Sequence, residues 1–303
     1  MSVAAARSHA RWRRKSAAAA GSSFLLLLLV ATPMRGQDAV APEPAPPPAP
    51  TPGPSIVKVA TDAFWNETKR YASDTAALVA APFRWDAQDG WRAAGAATLI
   101  GGAFAADRAV YDAFARNRSD FTDSVSKYTS WFGGGGSFAV AGGLLGIGLV
   151  IGNGEVRDMG RDALETAVIA GLFTNAVIKP TAGRWRPSES NGETKFDPFS
   201  GHTSFTSGHA TQAFAVASVI AMRSPGWIIP TIAYGLATVV ACDRINDREH
   251  FASDVVTAAL FATATGRFIV HRHRQKPVLT EEPPKTVVEV VPIPDGAALR
   301  LRW

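Results

Sequence analysis

The chain has a single cysteine, Cys242, so no intrachain disulfide can staple the fold. The plain reading of that residue is a small buried apolar side chain. Acidic residues are missing from the first 37 positions, which carry six basic ones: Arg7, Arg11, Arg13, Arg14, Lys15 and Arg35. Setting those six aside from the net charge of +5 leaves the rest near −1, so the pI near 9.6 belongs to the N-terminus. That balance excludes a basic nucleic-acid-binding domain. The apolar run after the charges, Phe24 to Val30, falls short of the roughly 20 residues of a membrane span. Charge followed by a short greasy run reads as a secretory leader over residues 1–37, with retention as an anchor the alternative. No Cys/His or acidic cluster has metal-ligand spacing, and the expectation is an absence of cofactor and metal. His271 and His273 sit in a basic stretch that reads as the solvated end of a helix.

Residues 38–54 are mostly Ala and Pro, which favours extended conformations and builds no core; they read as a linker. Residues 55–84 mix Val57, Phe64, Trp65, Leu78 and Val79 with charges at a helical rhythm, predicting an amphipathic helix laid on the domain. Six apolar helices are predicted next: Trp91 to Ala106, Ser137 to Gly152, Asp162 to Ile178, Gly208 to Met222, Trp227 to Ala241 and Ser253 to Val270. Gly133 to Gly136, Asn153-Gly154 and Ser224-Pro225-Gly226 punctuate them. The fold class is therefore all-α, a helical bundle of about six core helices within a domain over residues 55–275. Glu165, Asn175 and Arg267 interrupt the apolar segments, so hydropathy alone does not separate core helices from membrane spans. In the tail, 276–303, two alternating runs flank a Pro-Asp-Gly turn and predict a small hairpin.

Three segments concentrate the chemistry: KPTAGRWRP from Lys179, TSGHA from Thr206 and DRINDREHFASD from Asp243. Lys179 follows the third core helix, Ser207 begins the fourth, Arg244 ends the fifth, and His250 with Asp254 begins the sixth. In an up-and-down bundle these ends share one face. Lys179, Arg186 and Arg244 suit a phosphate dianion, and the Ser207 and Gly208 amides at a helix start add donors. The i, i+4 spacing of His250 and Asp254 predicts a carboxylate holding one imidazole in a single tautomer.

These blocks resemble the type-2 phosphatidic acid phosphatase (PAP2) superfamily: Lys, six residues, Arg-Pro; then Pro-Ser-Gly-His; then Ser-Arg, five residues, His, three residues, Asp. Lys179 and Arg186-Pro187, Ser207-Gly208-His209, and Arg244, His250 and Asp254 match, over roughly Trp91 to Val270. Thr206 stands where the family has Pro, and Asp243 where it has Ser; a carboxylate beside Arg244 is expected to draw that guanidinium away from substrate. The resemblance implies a metal-independent phosphatase of phosphate monoesters in which His250 attacks phosphorus, Asp254 steadies it as imidazolium and His209 protonates the leaving alcohol. Arg184, His202, Ser204 and Arg248 have no counterpart in the pattern and read as loop or rim residues.

Vanadium haloperoxidases share this pocket, and an envelope module that only binds phosphate or lipid headgroups is a further alternative. The expected partner is a phosphorylated small molecule or a lipid phosphate such as phosphatidate or polyprenyl pyrophosphate. Export to the cell envelope, as a periplasmic or membrane-associated protein, is expected, with an integral membrane protein the alternative. Six true spans after an exported N-terminus would leave the catalytic face in the cytoplasm, which favours either a periplasmic, non-spanning or membrane-associated bundle, or a different number of real spans.

Overall fold

A computed structural model of the chain describes residues 55–189, 193–275, 287–293 and 296–302. The expected leader and linker, 1–37 and 38–54, lie outside the described residues. The helices are α1 (Ile56–Ala80), α2 (Ala87–Arg116), α3 (Asp120–Phe132), α4 (Gly135–Val150), α5 (Gly154–Leu172), α6 (Lys179–Ala182), α7 (Gly208–Arg223), α8 (Ile228–Asn246) and α9 (Ala252–Gln275). A π-helical turn, Phe173–Ile178, joins α5 to α6 and runs the third predicted helix into the Lys179 block. Strands β1 (Val287–Ile293) and β2 (Gly296–Arg302) pair antiparallel, with Val287 opposite Arg302, which is the hairpin expected of the tail.

The six predicted core helices all form, and α3 is an addition. Ser119 caps it, accepting from the Thr122 N–H, while the Thr122 hydroxyl accepts from the Ser119 N–H. The core is built on small side chains: Ala163, Ala167 and Ala170 of α5 meet Ala215, Val216 and Val219 of α7 and Ala262 of α9. Such residues let backbones approach closely. A Cβ on Gly160 of α5 would come within 2.1 Å of the Leu145 amide nitrogen of α4.

At the end of the bundle where α5 begins and α9 finishes, α1 is tied on by charge. Arg70 pairs with Glu165, Asp74 accepts from Arg272 at 2.5 Å, and the His273 ring nitrogens face Asp74 at 2.8 Å and Asp162 at 2.7 Å. His273 is therefore not a solvated helix end, as its basic neighbours suggested; three helices converge on it. The helix expected over residues 55–84 does lie against the domain, and this network is the reason.

The outer surface is greasy. Along α8, Ile228, Ile229, Ile232, Leu236 and Val239 are exposed on one side. Among the described residues, α8 and α9 are long and apolar enough to cross a membrane, and α3 with α4, bent by 48°, pass the same test as a pair. Cys242 is exposed rather than buried; it lines a cavity of about 290 Å³ with Phe114, Phe121, Val125 and Asp243. It sits near the end of α8 and faces α2 and α3 across that gap.

Candidate functional site

The ends of α6 and α8 and the starts of α7 and α9 meet at one end of the bundle, together with the 183–206 loop. This is the convergence that parity predicted. Gly183 caps α6 with φ +56°, and a Cβ there would fall 1.7 Å from the Asp197 carbonyl oxygen. Only glycine fits both conditions, and the turn it makes sends Arg184 inward and Arg186 toward the site. Gly183→Ala is expected to destabilise the fold by about 2 kcal/mol or more, read as a lowered unfolding midpoint.

His250 is buried in the turn between α8 and α9. Its Nδ1–H donates to the Ser204 carbonyl oxygen at 2.7 Å. A carbonyl only accepts, so the proton is on Nδ1 and Nε2 keeps its lone pair. The Asp254 carboxylate, expected to make that bond, lies 3.6 Å from Nδ1. The i, i+4 rule applies within one helix, and α9 begins only at Ala252, after His250. Asp254 is fully buried and its oxygens are claimed by other donors: Arg184 at 2.6 Å, the Ser204 hydroxyl at 2.6 Å and the Phe251 N–H at 2.9 Å. It acts on His250 as a nearby charge.

The cations gather as expected. The Lys179 ammonium lies against Gly208 at the start of α7, and among the described residues it makes no ion pair. Burial, then the Arg186 charge, push Lys179 below the ordinary lysine range, partly opposed by Asp254. Arg186 pairs with Glu249, and Arg244 donates to Asp247 at 2.6 Å. The acid that draws on Arg244 is thus Asp247, one helical turn on, and not Asp243, whose Oδ2 is buried without a hydrogen-bond partner. His209, half-buried on the first turn of α7, is held at about 4 by burial and by the positive charge of Arg244, His250, Lys179 and Arg186. All four of those groups thus lie within electrostatic reach of His209.

Ser207 has a narrower part than expected. Its hydroxyl accepts from the Ala210 N–H at 3.3 Å as the cap of α7, and its own N–H donates to the Asp254 carbonyl oxygen at 3.3 Å. The amides left for an anion are those that follow it in the first turn, beginning with Gly208.

Two residues read as rim prove to be interior. Arg184 and Ser204 have no exposed surface. The Arg184 guanidinium also donates to Asp107 of α2 at 2.7 Å and lies 4.2 Å from the Phe251 ring centroid. Asp107 was not singled out by sequence; it closes the apolar run from Ala93 to Ala106 of α2 and is followed directly by Arg108. His202 and Arg248 remain at the edge, His202 stacked on Trp185 at 3.6 Å between centroids.

The family model of the PAP2 superfamily matches residues 163–277, from within α5 to just past α9. This segment is similar to the PAP2 superfamily. All three sequence blocks fall inside it. A search of the curated proteins finds no match. Among solved structures the fold is similar to Aquifex aeolicus LpxE, at 19% identity and a TM-score of 0.41, covering 55% of this chain and 94% of that one. It is also similar to a transmembrane PAP2 type phosphatidylglycerolphosphate phosphatase from Bacillus subtilis, at 17% identity and a TM-score of 0.43, covering 71% of this chain and 97% of that one.

Proposed function

We propose that the chain is a membrane-associated phosphatase that hydrolyses phosphate esters of lipids through a phosphohistidine on His250. The observation that carries this reading is the His250 imidazole itself: its Nδ1–H is fixed on the Ser204 carbonyl and it stands beside Lys179, Arg186, Arg244 and His209. In the first step His250 Nε2 forms a bond to phosphorus as the ester P–O bond breaks, and His209 supplies the proton to the departing alkoxide. In the second, water attacks phosphorus, the P–N bond breaks and inorganic phosphate leaves. Lys179, Arg186 and Arg244 hold the equatorial oxygens as charge spreads over them.

A lipid substrate is favoured by the exposed apolar side of α8 and by Trp131 and Phe132, exposed at the end of α3 next to the Gly133 turn that packs on His209. Surfaces of that kind mark contact with lipid or with other protein.

The side chains at the site fit an anion and not a divalent cation, since five basic groups surround it and its carboxylate is saturated with donors. The group of metal-ligand types found among the described residues, Asp74, Glu165 and His273, is about 30 Å away along α9 and already holds arginines. Incubation with EDTA is therefore expected to leave the rate unchanged. Inhibition reversed by a divalent ion would overturn the metal-free reading.

The test is phosphate release from p-nitrophenyl phosphate and from phosphatidate by the purified chain, with vanadate as inhibitor. Release blocked by vanadate is expected, with phosphatidate the better substrate. No release, or bromide-dependent peroxidase activity on adding vanadate, would overturn it.

A further inference from the structure

Arg184 is fully buried between two fully buried carboxylates, Asp107 of α2 and Asp254 of α9. Its Nη2 donates to Asp107 at 2.7 Å, and its Nη1 donates to Asp254 at 2.6 Å and to the Ser253 hydroxyl at 2.6 Å. Asp107 in turn accepts from the Ser253 N–H at 2.8 Å and its hydroxyl at 2.6 Å, which pins the first turn of α9. The rings of Phe251, Phe104 and Phe196 stand 4.2, 4.9 and 5.2 Å from the guanidinium, shielding it from water.

Count the charges. Arg184 alone would neutralise Asp254 and leave nothing for a cation on His250. Asp107 cancels Arg184, so the three groups together carry one negative charge in a site without solvent. Buried charge that lacks a partner is costly, and attraction across a dry interior is strong. The partner is at hand: His250 Nδ1 lies 3.6 Å from Asp254, and the imidazole turns cationic when Nε2 takes the phosphoryl group.

Resting on the phosphatase reading above, we propose that Asp107, Arg184 and Asp254 form a buried triad whose single net negative charge is the counter-ion of His250 in its cationic, phosphoryl-bearing form. Asp107 and Arg184 are then positioning residues: they touch no substrate, yet they set the charge that the transition state meets. The arrangement ties α2 to the chemistry of a segment about 140 residues later in the chain, and it explains why Asp107 is the buried acid of α2. Phosphate itself is held elsewhere, by Lys179, Arg186 and Arg244, so ground-state binding should be insensitive to the triad.

The experiment compares the full-length wild type with Asp107→Asn, Arg184→Lys and Arg184→Met, measuring kcat and the inhibition constant of inorganic phosphate. Asp107→Asn keeps the shape and still offers an oxygen to the Ser253 N–H, and it is expected to lower kcat about 10- to 100-fold. The phosphate inhibition constant should stay within about threefold of wild type. Arg184→Lys should retain more turnover than Arg184→Met. Wild-type kcat in Asp107→Asn overturns the proposal, as does a loss of kcat matched by an equal weakening of phosphate, the result of a merely loosened pocket. If Arg184→Met does not fold, Asp107→Asn decides alone. A wild type that releases no phosphate overturns the phosphatase reading instead, and is seen before any variant is compared.

Discussion

Replacing His250 with alanine is expected to abolish turnover, lowering kcat by about 10⁴-fold or more while the chain stays folded. The size of the effect follows from what no neighbour can supply. The Nδ1–H donated to the Ser204 carbonyl aims the Nε2 lone pair: the other tautomer would set two acceptors against each other, and a flipped ring would lose the bond. Burial holds His250 below the ordinary histidine range; the nearby Asp254 carboxylate opposes this, and Lys179 and Arg186 add to it. The ring is thus neutral, and nucleophilic, at neutral pH. His209 is no substitute, because it lies on the first turn of α7 against Gly133 and Val240. Two readouts check the claim together. Phosphate release should vanish in His250→Ala, and an alkali-stable radiolabel transferred from substrate to the wild-type chain should be missing from the variant. A labelled variant would place the nucleophile elsewhere.

Much of this site was legible in the sequence because its parts are local. Lys179 to Arg186, Ser207 to His209 and Arg244 to Asp254 are each short enough for spacing to carry meaning, and alternation of helix direction was enough to bring them together. What was not legible was long-range. Arg184 looked like a rim residue because its partners, Asp107 and Asp254, are 77 and 70 positions away. The His250–Asp254 hydrogen bond was expected from helical spacing, but the chain turns between the two residues and the carboxylate is spent on Arg184, Ser204 and Phe251. Asp243 looked like a threat to Arg244 because it is adjacent in sequence. On a helix, adjacent residues diverge by about 100°, and the residue three on, Asp247, makes the contact instead. Helix α3 escaped because its apolar residues, Phe121, Val125, Tyr128 and Phe132, are diluted by hydroxyls and charges, and its capping signal used Thr122 where a glutamate would have been conspicuous.

The His209→Gln variant is expected to separate substrates by leaving group. A lipid phosphate departs as an alkoxide, which needs a proton as the P–O bond breaks; loss of a positioned acid should cost about 10³-fold. p-Nitrophenolate leaves readily without one, so the same variant should lose no more than about tenfold on p-nitrophenyl phosphate. A purely structural role for His209 would slow both substrates alike, and that result would remove it from the mechanism. The pH dependence supplies a second, independent check. Burial and then the charges of Arg244, His250, Lys179 and Arg186 lower His209 to about 4, so in the free protein the acid form is a minor one at neutral pH. Each step upward in pH depletes it further. The ratio of kcat/KM between wild type and His209→Gln on phosphatidate, in which the substrate's own ionisation cancels, should therefore fall as pH rises above about 4, by up to about tenfold per pH unit. For kcat itself the fall should begin at higher pH, because a bound phosphate dianion offsets the surrounding cations and makes His209 easier to protonate. A ratio that rises with pH would mean that His209 works unprotonated, orienting water for the second step rather than protonating the alcohol in the first.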